Sequence, residues 1–325
     1  MKHDSIIKWG IIGLGSIAHK FASDLLTVNN AELYAVASRT QEKADTFAKK
    51  YKAIKAYDSY NALAKDSEVD AVYIATPHVY HKENAMLCLR NVIAVLCEKP
   101  FAMNYSEVHE MIDCAKANNV LLMEALWTYF LPHYNYVLDL IKNETFGKVT
   151  QLEADFGFRQ EFDESSRVIN KSLGGGSLLD IGIYPIFVAL TTLGQPIDIE
   201  AQATFFENEV DSSCSIIFKY KNGAKAYLKS TLLEETPTEA IFHCEKAIIT
   251  INSKFHQPTT VSIISNGKED IKDFGYTTIG YNYEVIHFNN LLRQGKIQSD
   301  VMSFSFSNKL IKTLDKVRLI IGLEY

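Results

Sequence analysis

A glycine-patterned turn in the stretch Trp9–Ala18, WGIIGLGSIA, restricts the folds open to this chain more than any other feature. Trp9–Ile12 is apolar throughout, as in a strand buried on both faces. The chain then passes through Gly13, Leu14 and Gly15 into helical spacing at Ile17, Phe21, Leu25 and Val28. In the pattern G-x-G-x-x-A the first glycine permits a tight turn, and the second lets backbone N–H groups approach a pyrophosphate. A small third residue, here Ala18, lets helix and strand pack closely. Ser16 and Ile17 open a helix whose positive end faces the anion. Glycine triplets also occur in ordinary tight turns; the strand before this one and the helix after it favour the dinucleotide reading.

The same alternation continues downstream. Helical spacing is predicted over 16–28, 41–50, 59–65, 81–90 and 105–118, and strands over 32–38, 70–75, 92–97 and 120–124, with a short extended piece at Ala56–Tyr57. Such units predict an α/β, doubly wound parallel sheet whose ligands sit beyond the carboxyl ends of the strands. Residues 1–124 form this first domain. From 125 to 325 the pattern changes: a helix over 131–143, a strand over 148–158, the run Gly174–Gly176, an apolar helix to Leu193, and strands from 197 to about 273. Asn222–Gly223 predicts a type I′ hairpin. Helices near 280–293 and 303–320 close an α+β domain with a large, mostly antiparallel open sheet.

Two domains suit 325 residues, because single cores stop growing near about 250–300. A net charge of −6 without a basic stripe argues against nucleic acid as a partner. The apolar segment at the N-terminus is too short for a signal peptide. No run is expected to approach the ~18–20 apolar residues of a membrane span. Five cysteines without a C-x-x-C pair suit reduced core thiols of a cytoplasmic protein, and the scattered histidines suggest no metal site.

Candidate chemistry gathers at strand ends and at one helix. Where an acidic residue would hold an NAD ribose, this chain has Ser38-Arg39-Thr40, with Lys43 a helical turn on. A guanidinium there suits a 2′-phosphate, so NADP is expected over NAD, with NAD possible; the plainer alternative is a solvated or adenine-stacking Arg39. Lys99, in Glu98-Lys99-Pro100, leaves a hydrophobic strand, where a lysine needs a partner or a task. In GGGSLLDIGIYP, residues 174–185, Asp180 and Tyr184 lie four apart on one helical face. A tyrosine hydroxyl serves as acid/base when a neighbouring cation such as Lys99 lowers its pKa. Taken singly, Asp180 also reads as a capping or interior hydrogen-bonding residue, Tyr184 as a core aromatic and Lys99 as a surface charge.

The segments WGIIGLGSIA, VASRT, KAYDSYNALAKD, AVLCEKP, LLMEALWTYFLP and GGGSLLDIGIYP, in that order, resemble the glucose–fructose oxidoreductase/inositol dehydrogenase (Gfo/Idh/MocA) superfamily. Within it they resemble most the branch of dimeric dihydrodiol dehydrogenases and NADP-dependent D-xylose dehydrogenases. The resemblance implies a Rossmann domain and a sheet domain carrying the substrate site, in a homo-oligomer (dimer or tetramer). It implies that Lys99 and Tyr184 act on the reacting hydroxyl while Asp180 holds substrate or orients that hydroxyl. It further implies that Thr76, Pro77, His81 and Glu98 line the cofactor crevice and that the bond before Pro100 is cis. Trp127 would lie over the nicotinamide–substrate region, and Arg159 and Arg167, in the strand and loop before the glycine run, would contact cofactor or substrate as substrate-site candidates. The implied reaction is hydride transfer between a nicotinamide and a secondary hydroxyl of a sugar, polyol or vicinal diol. An enzyme that holds and recycles its cofactor, or a cofactor-sensing regulator, is the alternative. One position departs from the family pattern W-T-R-F: Tyr129 stands where an arginine is common.

Overall fold

Residues 5–325 are described by the structure, a computed structural model of the chain. The alternating first half gives β1 (Ile7–Ile12), α1 (Ser16–Leu25), β2 (Ala31–Ala37), α2 (Gln41–Tyr51), β3 (Lys55–Tyr57), α3 (Tyr60–Ala64), β4 (Ala71–Ile74), α4 (His81–Arg90), β5 (Ala94–Glu98), α5 (Tyr105–Asn118) and β6 (Leu122–Ala125). The six strands are all parallel in the order β3-β2-β1-β4-β5-β6. β1 lies between β2 and β4, with Ile11 opposite Val36 on one side and Tyr73 on the other. That explains the apolar run Trp9–Ile12 within it, since helices cover both faces of such a sheet. Strand order reverses between β1 and β4, the switch point at which open α/β sheets bind ligands.

The second half gives α6 (Pro132–Lys142), β7 (Val149–Gly157), a π-helical turn Leu178–Gly182 running into α7 (Ile183–Thr192), β8 (Asp198–Phe205), β9 (Asp211–Lys219), β10 (Lys225–Thr231), β11 (Ala240–Cys244), β12 (Ile248–Ile251), β13 (Val261–Ser265) and β14 (Lys268–Lys272). These eight strands form one sheet, β14-β13-β12-β11-β7-β10-β9-β8, antiparallel except where β7 meets β10. α7 packs against β7 and β10, and residues Ile183–Leu190 are buried all round. α6 covers α7, with Tyr134 stacked on Phe187 at 5.0 Å.

The chain divides into two compact units, and the division is not a single cut. The first unit runs to Trp127 and also takes in Thr277–Lys309; the second holds Thr128–Tyr276 and Leu310–Tyr325. A cut at 124/125 would assign both closing helices, α8 (Tyr281–Arg293) and α9 (Phe304–Ile321), to the second domain. Instead α8 docks on α1. The N-terminus of α8 has no side-chain cap of its own, and Gly280 stands at φ 114. The carboxylate of Asp24 on α1, buried, accepts the N–H groups of Ile279 (3.1 Å), Gly280 (2.7 Å) and Tyr281 (2.8 Å). Trp9 donates to Asn289 Oδ1 at 3.1 Å and packs on Phe288 at 5.1 Å.

Three finer expectations need correction. The β9–β10 hairpin forms, but Asn222 does not adopt positive φ, as a type I′ turn requires at both central residues. Gly223 alone does (φ 87), with its N–H bonded to Tyr220 O at 3.0 Å, so a type I turn ends in a left-handed glycine. The helical run Lys171–Thr192 is long and apolar enough to cross a membrane by length and composition. However, 94% of its most apolar window is buried inside the protein, as in a core helix. All five cysteines are free thiols; Cys88, Cys97 and Cys214 are buried, but Cys114 and Cys244 are only half-buried.

Glu124, in β6, is buried and accepts the Phe101 N–H through Oε1 at 3.1 Å. Burial pushes its carboxyl up to about 7. A carboxyl raised in the folded state binds its proton more tightly there than in the unfolded chain. Its stabilisation is therefore complete below the ordinary carboxyl range and is lost as pH rises through about 7. The full effect is on the order of 3 kcal/mol. Urea midpoints of the unaltered protein should fall from pH 5 to pH 8 more steeply than those of Glu124→Gln; parallel curves would contradict this account.

Candidate active site

The first unit supplies a turn shaped for a dinucleotide. Gly13 follows β1 at φ 87, and a Cβ there would stand 2.8 Å from the Ala75 backbone and 2.9 Å from Thr76 Cγ2. Only glycine fits both the conformation and the space. Gly15 differs: it is extended, and a Cβ on it would meet nothing within 4 Å. Protein packing therefore does not demand Gly15, whereas close approach of a ligand to the backbone would. Gly15 is also the N-cap of α1, whose first turn has neither a side-chain cap nor an acidic residue, so its N–H groups remain suited to an anion. Leu14 and Ala18 are buried, while Ser16 is exposed and Ile17 half-buried.

The other predicted cofactor residues lie beyond the ends of β2, β4 and β5. Ser38 is buried and donates its N–H to Tyr57 O at 3.1 Å; Arg39 and Lys43 are exposed cations at the end of β2 and the start of α2. Thr76 is buried, and its hydroxyl takes a bond from Asn84 at 3.3 Å. His81 is wholly buried, its ring nitrogens facing Thr76 O and Pro100 O, each at 2.8 Å. It thus ties the loop after β4 to the loop after β5. Pro77 precedes the short turn His78–Tyr80. The Lys99–Pro100 peptide is cis. Glu98, buried, accepts the Lys99 N–H at 3.1 Å and a bond from the Tyr73 hydroxyl. Trp127 lies against Tyr281 of α8, the rings stacked at 4.4 Å and 7°.

The second unit presents a separate cluster. Asp180 lies within the π-helical turn and is buried. The Arg167 guanidinium holds it, Nη2 to Oδ1 at 3.0 Å. Tyr184 follows in α7, also buried, and lies tilted against Phe156 (5.6 Å) and His256 (5.2 Å). π-helical turns are rare and concentrate at functional sites. Arg159 is exposed just beyond β7, its N–H directed to Glu235 Oε1 at 3.3 Å, so the structure brings Arg167 to Asp180 but shows no such pairing for Arg159. Tyr129 is accommodated among aromatics, edge-on to Phe187 at 5.1 Å and Tyr134 at 6.2 Å.

Sequence patterning misses Tyr73, Asp24, Tyr281 and His256. Asp24 carried a signal, since it falls on the apolar stripe of α1 beside Phe21 and Leu25. His256 lies in the loop between β12 and β13, where no periodicity marks it.

Comparison with known proteins agrees with this architecture. Residues 7–126 match the oxidoreductase family with an NAD-binding Rossmann fold, GFO/IDH/MocA, and residues 134–250 match the C-terminal domain of the same family. The chain is 37% identical over 330 residues to a trans-1,2-dihydrobenzene-1,2-diol dehydrogenase of Xenopus tropicalis, covering 98% of this chain and 99% of the relative. The Homo sapiens protein of that name is 32% identical, with 98% of each chain covered. Among solved structures, a 3-ketoreductase from Actinomadura kijaniata, in complex with NADP and TDP-benzene, superposes with a TM-score of 0.87 at 24% identity, covering 97% of this chain and 98% of that one. An aldose-aldose oxidoreductase from Caulobacter crescentus, complexed with glycerol, gives 0.89 at 21%, covering 97% of each chain. The chain belongs to the GFO/IDH/MocA oxidoreductase family.

The two glycines of the turn separate fold from ligand. Gly15→Ala should leave the melting temperature within about 2 °C, since nothing opposes the methyl group, yet weaken NADP(H) binding about tenfold or more. Gly13→Ala should instead destabilise the fold by about 2 kcal/mol or more, through backbone strain and overlap. Calorimetry and NADPH fluorescence titration check both; a strongly destabilised Gly15→Ala would contradict the open-turn account.

Proposed function

We propose that the protein is an NADP-dependent dehydrogenase that moves a hydride between the nicotinamide and a secondary hydroxyl of a vicinal diol, sugar or polyol. The observation that carries this reading is the buried Asp180, held by Arg167 one helical turn before the buried Tyr184, in a chain of the GFO/IDH/MocA family. A carboxylate fixed beside a phenol suits a polyhydroxyl substrate: the carboxylate accepts one hydroxyl while the phenol exchanges a proton with its neighbour. The name of the relatives, trans-1,2-dihydrobenzene-1,2-diol dehydrogenase, supports a vicinal diol.

The fit of the cofactor rests on Gly13–Ile17, whose turn leaves space over Gly15, and on Arg39 and Lys43 as partners for a 2′-phosphate. When bound, the nicotinamide supplies the hydride acceptor or donor. In oxidation Tyr184 takes the hydroxyl proton, and Lys99 stabilises the negative charge developing on that oxygen. Asp180 and Arg167 hold the adjacent hydroxyl. Glu98 fixes the backbone at Lys99 through its N–H, and His81 keeps the loops after β4 and β5 in register. Trp127 shields the reacting region from water. The reading includes a homo-oligomer, for which the face of the large sheet bearing Ile217, Tyr227 and Ile241 among Glu153, Glu200, Glu239 and Lys229, around a hollow of about 590 Å³, is the candidate contact surface. A reducing compartment, the cytoplasm, suits the five thiols.

A panel of trans-1,2-dihydrobenzene-1,2-diol, D-xylose, D-glucose, myo-inositol and glycerol, each with NADP and with NAD, tests the reading by absorbance of the released reduced cofactor. Turnover of at least one diol or sugar is expected, with NADP preferred; Arg39→Ala should weaken that preference about tenfold or more. Tyr184→Phe should lower turnover by about 10²–10⁴-fold while NADP still binds. Undiminished turnover by Tyr184→Phe, or no turnover of any compound, overturns it. Turnover without release of reduced cofactor would point to a recycled cofactor instead.

A further inference from the structure

Nothing within a π-helical turn explains how the segment bearing Asp180 is held at its start. The first amides of a helical run lack partners inside it, and three glycines precede this one. Two residues remote in sequence supply the hold. Asp211, at the start of β9 and wholly buried, accepts through Oδ2 the Leu178 N–H and the Ser177 hydroxyl, both at 2.7 Å. Tyr325, beyond α9, donates its hydroxyl to Gly175 O at 2.6 Å, and the Arg318 guanidinium lies over its ring at 4.9 Å.

Both close on one point. Gly176 stands at φ 118, and a Cβ there would lie 2.1 Å from Asp211 Oδ1 and 3.2 Å from Tyr325 Oη. The Asp180 N–H in turn points to Gly176 O at 3.4 Å, so a shift of Gly176 passes directly to Asp180. The far side of the turn is tied by Gly175 N–H to Asn170 O (3.0 Å) and Gly176 N–H to Val168 O (2.7 Å), one residue from Arg167. The partner guanidinium and the carboxylate are therefore set by the same turn.

We propose that Asp211 and Tyr325 are positioning residues of the active centre, clamping the Gly174–Gly176 turn so that Asp180 and Tyr184 meet a substrate hydroxyl in register. The proposal rests on the reading that Asp180 and Tyr184 carry the substrate chemistry. Neither residue touches substrate; each acts through the turn.

The test uses the panel compound that the unaltered enzyme oxidises fastest. Tyr325→Phe removes one oxygen and leaves the ring on Arg318. It should lower kcat about tenfold, keep the KM for NADP within about twofold, and leave the melting temperature within about 2 °C. Backbone amide exchange should quicken over residues 175–182 and nowhere else in the second unit. Asp211→Asn, which keeps an acceptor for Leu178, should retain most of the activity, whereas Asp211→Ala loses about a hundredfold. Unchanged kcat in Tyr325→Phe, unchanged exchange over 175–182, or losses that merely follow the fraction unfolded would overturn the proposal. Tyr184→Phe run alongside separates the two failures. If Tyr184→Phe is inactive and Tyr325→Phe fully active, the clamp alone is wrong; if Tyr184→Phe is fully active, the underlying reading is wrong.

Discussion

The completeness of the first unit depends on a single buried carboxylate. Asp24 sits where the helical stripe of α1 should be apolar, and it answers three successive amides at the start of α8. An ionised carboxylate without partners inside a protein is costly, as are unpaired helix N-terminal amides. Placed together, each removes the other's cost, and the positive end of α8 adds to the attraction. The dependence runs both ways, since α8 has no cap of its own and Asp24 has no other reason to be buried. Through this contact a segment some 250 residues downstream becomes part of the early sheet domain. It brings Phe288 against Trp9 and Tyr281 under Trp127.

That dependence also explains what patterning in the sequence reveals and what it hides. The parallel sheet is legible because each strand has a sharp apolar run and each crossover helix its own period, so local information suffices. The GxGxxA turn is legible because each small residue answers a separate steric demand, and at Gly13 the structure shows that demand directly. The return of α8 to the first unit is hidden, because a carboxylate at position 24 and a glycine at 280 carry no mutual signal. The hairpin at Asn222–Gly223 shows the same limit at short range. The dipeptide marks the turn, but one extra residue in the loop spares Asn222 the left-handed conformation.

The candidate site divides along the same line. Asp180, Tyr184 and Lys99 stand out by residue type and placement, and Arg167 is found ion-paired to Asp180 as a single acidic–basic unit. The π-helical turn was not legible, since the change from i→i+4 to i→i+5 bonding leaves no mark in composition. Tyr129 shows how the position expected from the resemblance to carry an arginine is filled here. Its half-buried phenol ring lies edge-on to Phe187 and Tyr134, and burial raises its pKa, so the position contributes packing and no charge.

Asp180 and Asp211 serve the same turn and illustrate how environment assigns roles to identical side chains. Asp180 faces a half-exposed guanidinium, a partner that a polar ligand can share. Asp211 meets neutral donors, the Ser177 hydroxyl and the Leu178 amide among them. Burial pushes its carboxyl up to about 7. A group so placed gains nothing from contact with substrate and would be a poor charge to expose; its value lies in the two bonds that fix where the helical run begins. In the proposed clamp, placement of Asp180 rests on Tyr325 and on a second carboxylate buried in the core, so a turn of three glycines can serve a site of fixed geometry.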